Sequence, residues 1–199
     1  MAHDHDHDPD HEHEHDPEAD EEARAEAEAE GRRRFALSQI RQYGDPALRL
    51  KAHEVEEFDD DLRRLVDRMT TLMHEAQGVG LAATQVGVLR RVFVFEPDED
   101  GPKTIVNPVV VERDDENAID AEGCLSLQGV KVPVERSVRV VLEGKDENGE
   151  DVRFELDEYG SRVVQHELDH LDGVLIIDRT DDEHRREALA ELRPRAVLR

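Results

Sequence analysis

The apolar positions of the chain recur at helical spacing in two main stretches. The first runs from Asp59 to about Gln77, begins with acidic residues and stops before Gly78. Its apolar face consists of Leu62, Leu65, Val66, Met69, Leu72, Met73 and Ala76. The second stretch covers about Glu158 through Leu171, and a shorter, highly charged helix is expected over 181–192, ending at Pro194.

Short apolar runs typical of β-strands fill most of the chain between these helices. Turn residues separate them, notably at 98–101 and at 146–150, where Asn148-Gly149 suits a type I′ hairpin. Residues 38–46 are expected to be extended and 112–120 to form a loop. Strands are predicted at 92–95, 104–106, 109–111, 130–134, 138–142 and 152–156, with the last two paired. This pattern predicts an α+β fold, with antiparallel β-sheets packed around the central helix at 158–171.

The first 34 residues lack this patterning and are predicted to be a disordered, acidic and histidine-rich tail. Residues 1–17 alternate histidine with Asp or Glu, while 18–30 are rich in Glu and Ala and have some helical tendency. The tail is either a loose metal-binding segment or a solvated extension. The second reading is favoured, because flexible ligands have no fixed geometry. One folded domain is predicted over 35–199.

Charge and composition exclude several classes of function. The chain has 51 acidic and 26 basic residues, a net charge of -25, which argues against a general grip on nucleic-acid phosphate. Its single cysteine, Cys124, allows no intramolecular disulfide and fits a reducing compartment. No apolar run approaches the roughly 18 residues of a membrane helix, and the charged N-terminus lacks a signal-peptide core. These features predict a cytoplasmic protein without a membrane partner.

The helix at 158–171 carries the candidate chemistry. His166 and His170 lie four residues apart, so they share one helical face and suit a single metal ion. Glu167 lies between them, close enough to handle a water on that ion. Cys124, in a turn of small residues, is the candidate third ligand, although a lone cysteine is more often a buried small hydrophobe. Three protein ligands with one open position are typical of a catalytic metal.

Three motifs, in this order, strengthen that interpretation: GVGLAATQ at 78–85, EGCLS at 122–126 and QHELDHLDG at 165–173. With flanking matches at 40–49, 107–108, 132–133 and 173–179, they resemble the motifs of peptide deformylases over about residues 38–180. The resemblance implies a metal-dependent hydrolase that removes the N-formyl group from the N-terminal methionine of newly synthesised proteins and releases formate. Residues 35–199 would then be the catalytic domain.

The resemblance also implies roles for individual residues at the reacting centre. Cys124, His166 and His170 match the metal ligands, and Glu167 matches the catalytic acid and base. Gln85 matches the residue that, with the backbone N–H of Leu125, stabilises the reacting oxyanion.

Further roles concern substrate, cofactor and partners. The main chain at Val79 and Gly80 matches the strip that pairs with the substrate peptide, while Leu125 and Val163, with the edge of His166, would line the methionine pocket. The expected ion is Fe²⁺, and Zn²⁺, Ni²⁺ or Co²⁺ can occupy such a site. N-formylmethionyl nascent peptides are the expected partners. A ribosome contact through the C-terminal helix is suggested by four arginines, Arg185, Arg186, Arg193 and Arg195, although a solvated helix end explains them as well.

Two other functions stay open from the residues alone. The first is a broader HExxH metallopeptidase, which would recruit a distal Glu or His instead of Cys124. The second is a metal-buffering protein built around the tail, where six of the 11 histidines lie.

Overall fold

The computed structural model describes residues 17–193, with side chains from residue 20 onward. The predictions for residues 1–16, Pro194 and Arg195 lie outside that range. Four helices are present in it: α1 (Pro17–Gln39), α2 (Asp60–Glu75), α3 (Glu158–Leu171) and α4 (Asp182–Leu192). Short 3₁₀ turns cover Pro46–Arg49, Ala83–Val86 and Ile176–Asp178. Within the described range, no helix has the length and apolar character needed to cross a membrane.

In the part of the chain that the structure describes, seven strands form two antiparallel sheets. The strands are β1 (Gly80–Ala82), β2 (Val92–Phe95), β3 (Lys103–Arg113), β4 (Asn117–Gly123), β5 (Lys131–Ser137), β6 (Arg139–Lys145) and β7 (Asp151–Asp157). The larger sheet has the order β1-β2-β3-β6-β7, and β4 pairs with β5 in the smaller sheet. Helix α3 contacts strands of both sheets. The predicted α+β fold around this helix is confirmed, as is the pairing of β6 with β7.

The apolar faces of the two main helices explain their positions. Helix α2 buries Leu62, Met69 and Met73 completely, against residues of β1 and β2. Helix α3 buries Val164 and Leu171 against Phe93 and other residues of the larger sheet. Complete burial of one such side chain contributes about 1.5–3 kcal/mol. The apolar side of α3 therefore anchors the helix, which leaves its remaining side to present polar groups.

Two predictions about strands and turns were wrong. The predicted loop at 112–120 is partly strand β4, whose residues are almost all exposed and so carry no alternating apolar signal. The turn between β6 and β7 is not type I′, because only Gly149 of the Asn148-Gly149 pair has a positive φ, at +87°. Instead, the Asp146 carboxylate accepts hydrogen bonds from the backbone N–H groups of Asn148 and Glu150 and shapes a longer loop.

Helix α1 crosses the predicted tail boundary at residue 34. Residues 17–34 are helical, not disordered, and 38–39 are helical where an extended segment was expected. Alanine and glutamate have high helix propensity, and Glu30 pairs with Arg34 one turn later at 3.9 Å. Burial begins near the end of the helix, at Ala36 and Leu37. A catalytic domain starting at residue 35 stays a prediction.

Gly173, just beyond α3, has a backbone conformation that a side chain disfavours. Its φ is +73°, and an added Cβ would lie 2.7 Å from the Arg49 carbonyl oxygen. We predict that Gly173→Ala lowers the free energy of unfolding by about 1–3 kcal/mol, measured by urea denaturation.

Gly31→Ala is the matched control, because Gly31 lies inside α1 with nothing within 4 Å of an added Cβ. This variant should raise stability slightly, by at most about 1 kcal/mol. Equal stabilities of the two variants would contradict this account of the end of α3.

Candidate metal centre

Three candidate ligands converge between α3 and the turn after β4. His166 and His170 project from the same side of α3, with ring centroids 4.9 Å apart. The Sγ atom of Cys124 lies 3.2 Å from Nε2 of His170. The ligand atoms of all three side chains lie within 4.8 Å of one another, so one ion can contact all of them. The structure thus brings the predicted ligands together.

A buried carboxylate orients the first histidine. Nδ1 of His166 lies 3.1 Å from Oε2 of Glu122, at the end of β4. Burial alone would raise the pKa of Glu122, but hydrogen bonds with His166 and Arg136 outweigh burial and hold that pKa at about 2. An ionised carboxylate only accepts, so Nδ1 is the nitrogen that donates to Glu122, and Nε2 is the nitrogen left to bind a metal ion.

The electrostatic surroundings of the histidines suit a cation. Burial alone would lower the pKa of His166, but hydrogen bonds with Cys124 and Glu122 raise it well above its usual value. Burial, with His166 and Arg136 nearby, lowers the pKa of His170 well below its usual value, so that imidazole is neutral. Cys124 and Glu122 thus favour a positive charge at His166, and a bound metal ion would supply that charge in place of a proton. A thiolate and two imidazoles are also a donor set that divalent transition metals prefer.

Glu167 lies on the cavity side of α3 as a buried carboxyl group. Its Oε2 atom has no hydrogen-bond partner among residues 17–193. Burial is the main reason that its pKa is raised to about 7. A carboxyl group with a free oxygen and a pKa near neutrality can both accept and return a proton. The backbone of Gly80 packs directly against it.

Gln85 lies on the 3₁₀ turn after β1 and is held at both ends of its amide. Its Oε1 atom accepts a hydrogen bond from the backbone N–H of Ala82 at 2.9 Å. Its Nε2 atom is 3.1 Å from Oγ of Ser126 and 3.8 Å from Sγ of Cys124. The first contact fixes the amide orientation, so the N–H groups point toward the candidate ligands.

A cavity of about 380 Å³ opens onto these groups. Every predicted site residue except His170 lines it, namely Val79, Gly80, Gln85, Cys124, Leu125, Val163, His166 and Glu167. His170 lies behind them, 1% exposed. The predicted site is therefore one continuous place in the fold.

Sequence reasoning missed several polar residues at this site. Glu122 lies in the EGCLS motif but was given no role. A histidine that binds a metal usually donates its other ring N–H to a carboxylate or carbonyl, and a search for such an acceptor could have found Glu122. Asp169 lies in the QHELDHLDG motif but was also given no role, whereas Arg136 and Arg162 lie in no motif. Only the folded structure brings these two arginines to Glu122, and Arg136 also to Asp169. Tyr159 and Lys131 also line the cavity without having been predicted.

Three converging ligands, an adjacent carboxyl group and an open cavity are the features of a metal-dependent hydrolase. The fold and the site therefore place the chain in that class. Comparison with known proteins agrees. The family model described as polypeptide deformylase matches residues 37–186. The chain is 47% identical over 141 residues to the peptide deformylase of Thermotoga sp. (strain RQ2), covering 71% of this chain and 85% of that protein.

Solved structures are similar as well. The crystal structure of the peptide deformylase from Thermotoga maritima has a TM-score of 0.69 and 46% identity, covering 71% of this chain and 96% of that one. The peptide deformylase from Ehrlichia chaffeensis, solved in complex with actinonin, has a TM-score of 0.74 and 34% identity, covering 77% and 94%. The chain belongs to the polypeptide deformylase family. Its activity is removal of the formyl group from an N-terminal methionine.

The contact between Gly80 and Glu167 generates a prediction. A Cβ on residue 80 would lie 2.9 Å from Cδ of Glu167 and closer still to Oε1. We expect Gly80→Ala to displace the carboxyl group and lower kcat/KM for formate release by about 10²-fold, with metal content unchanged.

Gly123→Ala is the control for Gly80→Ala, because it lies in the same cavity wall but an added Cβ meets nothing closer than 3.7 Å. We expect its kcat/KM to stay near that of the unmodified chain. If the two variants were equally active, the close packing of Gly80 against Glu167 would not contribute to catalysis.

Proposed function

We propose that deformylation by this chain uses one divalent ion held by Cys124, His166 and His170, with Glu167 as the proton carrier. One observation carries the proposal: the buried carboxyl group of Glu167 lies beside a converged Cys-His-His set in an open cavity, and one of its oxygens has no hydrogen-bond partner among the described residues. When bound, the ion supplies Lewis acidity that makes a hydroxide nucleophile available near neutral pH and polarises the formyl oxygen.

Fe²⁺ is the ion we propose, and Zn²⁺, Ni²⁺ and Co²⁺ can also occupy the site. The donor set supports this group of ions over Mg²⁺ or Ca²⁺, which prefer oxygen ligands. The choice of iron within the group rests on resemblance to the family.

Proton transfer is the part assigned to Glu167. Its carboxylate accepts a proton from the attacking water, and the resulting carboxylic acid then donates that proton to the departing amine. The pKa of about 7 means that neither protonation state is strongly disfavoured near neutral pH.

Oxyanion stabilisation is assigned to Gln85 and to the backbone N–H of Leu125. The Gln85 amide is preorganised, because Oε1 is held by the Ala82 N–H and Nε2 is left on the side of Cys124 and Ser126. Preorganised donors of this kind contribute to the rate because they need no reorientation as charge develops; losing one typically costs about 10²–10³ in kcat.

Substrate binding is assigned to the open edge of β1 and to an apolar wall. β1 is an edge strand of its sheet, so a peptide can pair with the main chain at Val79 and Gly80 as an added strand. Leu125 and Val163 line the same cavity and supply an apolar surface suited to a methionine side chain. An N-formylmethionyl nascent chain has a main chain that can pair with this strand edge and a methionine side chain that suits the apolar wall.

A cytoplasmic location follows from the nascent-chain substrate and stays a proposal. Ribosome contact through α4 has weaker support. Arg185 lies 3.6 Å from Asp178, and Asp182 and Glu183 lie in the first turn of the helix, which reduces its positive potential. A solvated helix end explains these residues equally well.

We predict that Glu167→Gln lowers kcat for formate release from a formyl-Met tripeptide by about 10²–10⁴-fold, because the amide cannot carry the proton. Metal content, measured after anaerobic purification, should stay the same. Glu54→Gln is the control, since Glu54 is an exposed glutamate outside the cavity. Full activity of Glu167→Gln would exclude the assigned role.

A further inference from the structure

The guanidinium of Arg136, on β5, is buried and binds two carboxylates at once. Its Nε and Nη2 atoms donate to the two oxygens of Glu122 at 2.9 and 3.0 Å. Its Nη1 atom donates to Oδ2 of Asp169 at 2.6 Å. The side chain is 6% exposed, so these contacts form away from solvent. Arg136 does not line the cavity, and it touches neither the candidate ligands nor the place of the substrate.

The Glu122 carboxylate has no freedom left to rotate. Besides the two bonds from Arg136, it accepts from Nη1 of Arg162 at 2.8 Å and faces Nδ1 of His166 at 3.1 Å. Each oxygen thus has two donors, which uses all four of its lone-pair directions. Turning the carboxylate toward any one donor would lose others, so Arg136 fixes the direction in which Glu122 faces His166.

The other end of Arg136 is fixed to α3. Asp169 immediately precedes His170, and its two oxygens also accept from Nη2 and Nε of Arg179 at 2.6 and 3.0 Å. Arg179 is 48% exposed, so the chain of charged contacts runs from the surface to the candidate metal ligand. The order is Arg179, Asp169, Arg136, Glu122 and His166.

Arg136 therefore connects the two segments that supply the metal ligands. Glu122 stands two residues before Cys124, and Asp169 stands on the helix of His166 and His170. We propose that Arg136 is a positioning residue that sets the separation of these two segments and thereby the rate at which the bound ion is released. Asp169, itself bound by Arg179, holds the Nη1 side of the Arg136 guanidinium in place. The proposal rests on the metal role given above to Cys124, His166 and His170.

The arrangement requires an arginine specifically. A planar guanidinium presents donors in a fixed fork, so it can grip Glu122 with two bonds and still reach Asp169. A lysine keeps the charge, but its single ammonium cannot reproduce this geometry. Arg136→Lys therefore removes the alignment while it keeps the buried charge balance, which makes it the informative variant.

The test uses the full-length chain loaded anaerobically with Co²⁺, whose thiolate charge-transfer band reports the bound ion. Release is followed as loss of this band after addition of excess chelator. We predict that Arg136→Lys releases Co²⁺ about 10–100-fold faster than the unmodified chain. It should lower kcat for formate release and leave KM unchanged, because Arg136 does not line the cavity.

The control variant is Arg91→Lys. Arg91 donates to Asp172 at 2.8 Å near the same end of α3, and its side chain forms no hydrogen bond or ion pair with the five connected residues. Unchanged Co²⁺ release from Arg136→Lys, or equal acceleration in Arg91→Lys, would overturn the proposal.

Two further arms keep the test decisive. If Arg136→Lys does not fold, as judged by circular dichroism, Arg179→Met decides: accelerated Co²⁺ release supports the proposal and unchanged release overturns it. If the unmodified chain releases no formate while Arg136→Lys still accelerates Co²⁺ release, the deformylase function fails and the positioning role stands.

Discussion

The structure depends on one constraint: a cysteine and two histidines from separate parts of the chain must meet at one point. Cys124 precedes His166 by 42 residues, and the strands β5, β6 and β7 lie between them. No local interaction can hold such a pair together. The packing of α3 against both sheets does so, because the helix contacts the larger sheet through its apolar side and β5 of the smaller sheet through charged groups.

Burial explains both the stability and the chemistry of the site. The same removal from water that anchors Leu171 raises the pKa of Glu167 to about 7 and lowers that of His170. Glu122 is buried too, yet hydrogen bonds with His166 and Arg136 keep its pKa low and the group ionised. Two buried glutamates thus have different protonation behaviour: Glu167 can move a proton, and Glu122 orients His166.

Much of the fold and of the candidate site could be predicted from the sequence wherever the sequence signal was local. Helix α2 followed from its apolar period, and the β6–β7 pair from the turn between the strands. The candidate ligands followed from helical spacing and motif order. Strand β4 was missed because its exposed residues show no alternation, and helix α1 because its composition resembles that of a disordered segment. The contacts of Arg136 depend on tertiary packing of β4, β5 and α3, which no short motif encodes.

The central claim is that one ion, held by Cys124, His166 and His170, makes this chain an active deformylase. The most direct measurement is an anaerobic titration of metal-free protein with Co²⁺, with formate release from a formyl-Met tripeptide and the thiolate charge-transfer band followed together. The account predicts that formate release and the thiolate band rise in parallel and both reach their maximum when one Co²⁺ ion is bound at this site. Any additional Co²⁺ bound by the histidines of the tail should change neither signal. Activity that is independent of Co²⁺, or that saturates without the thiolate band, would contradict it.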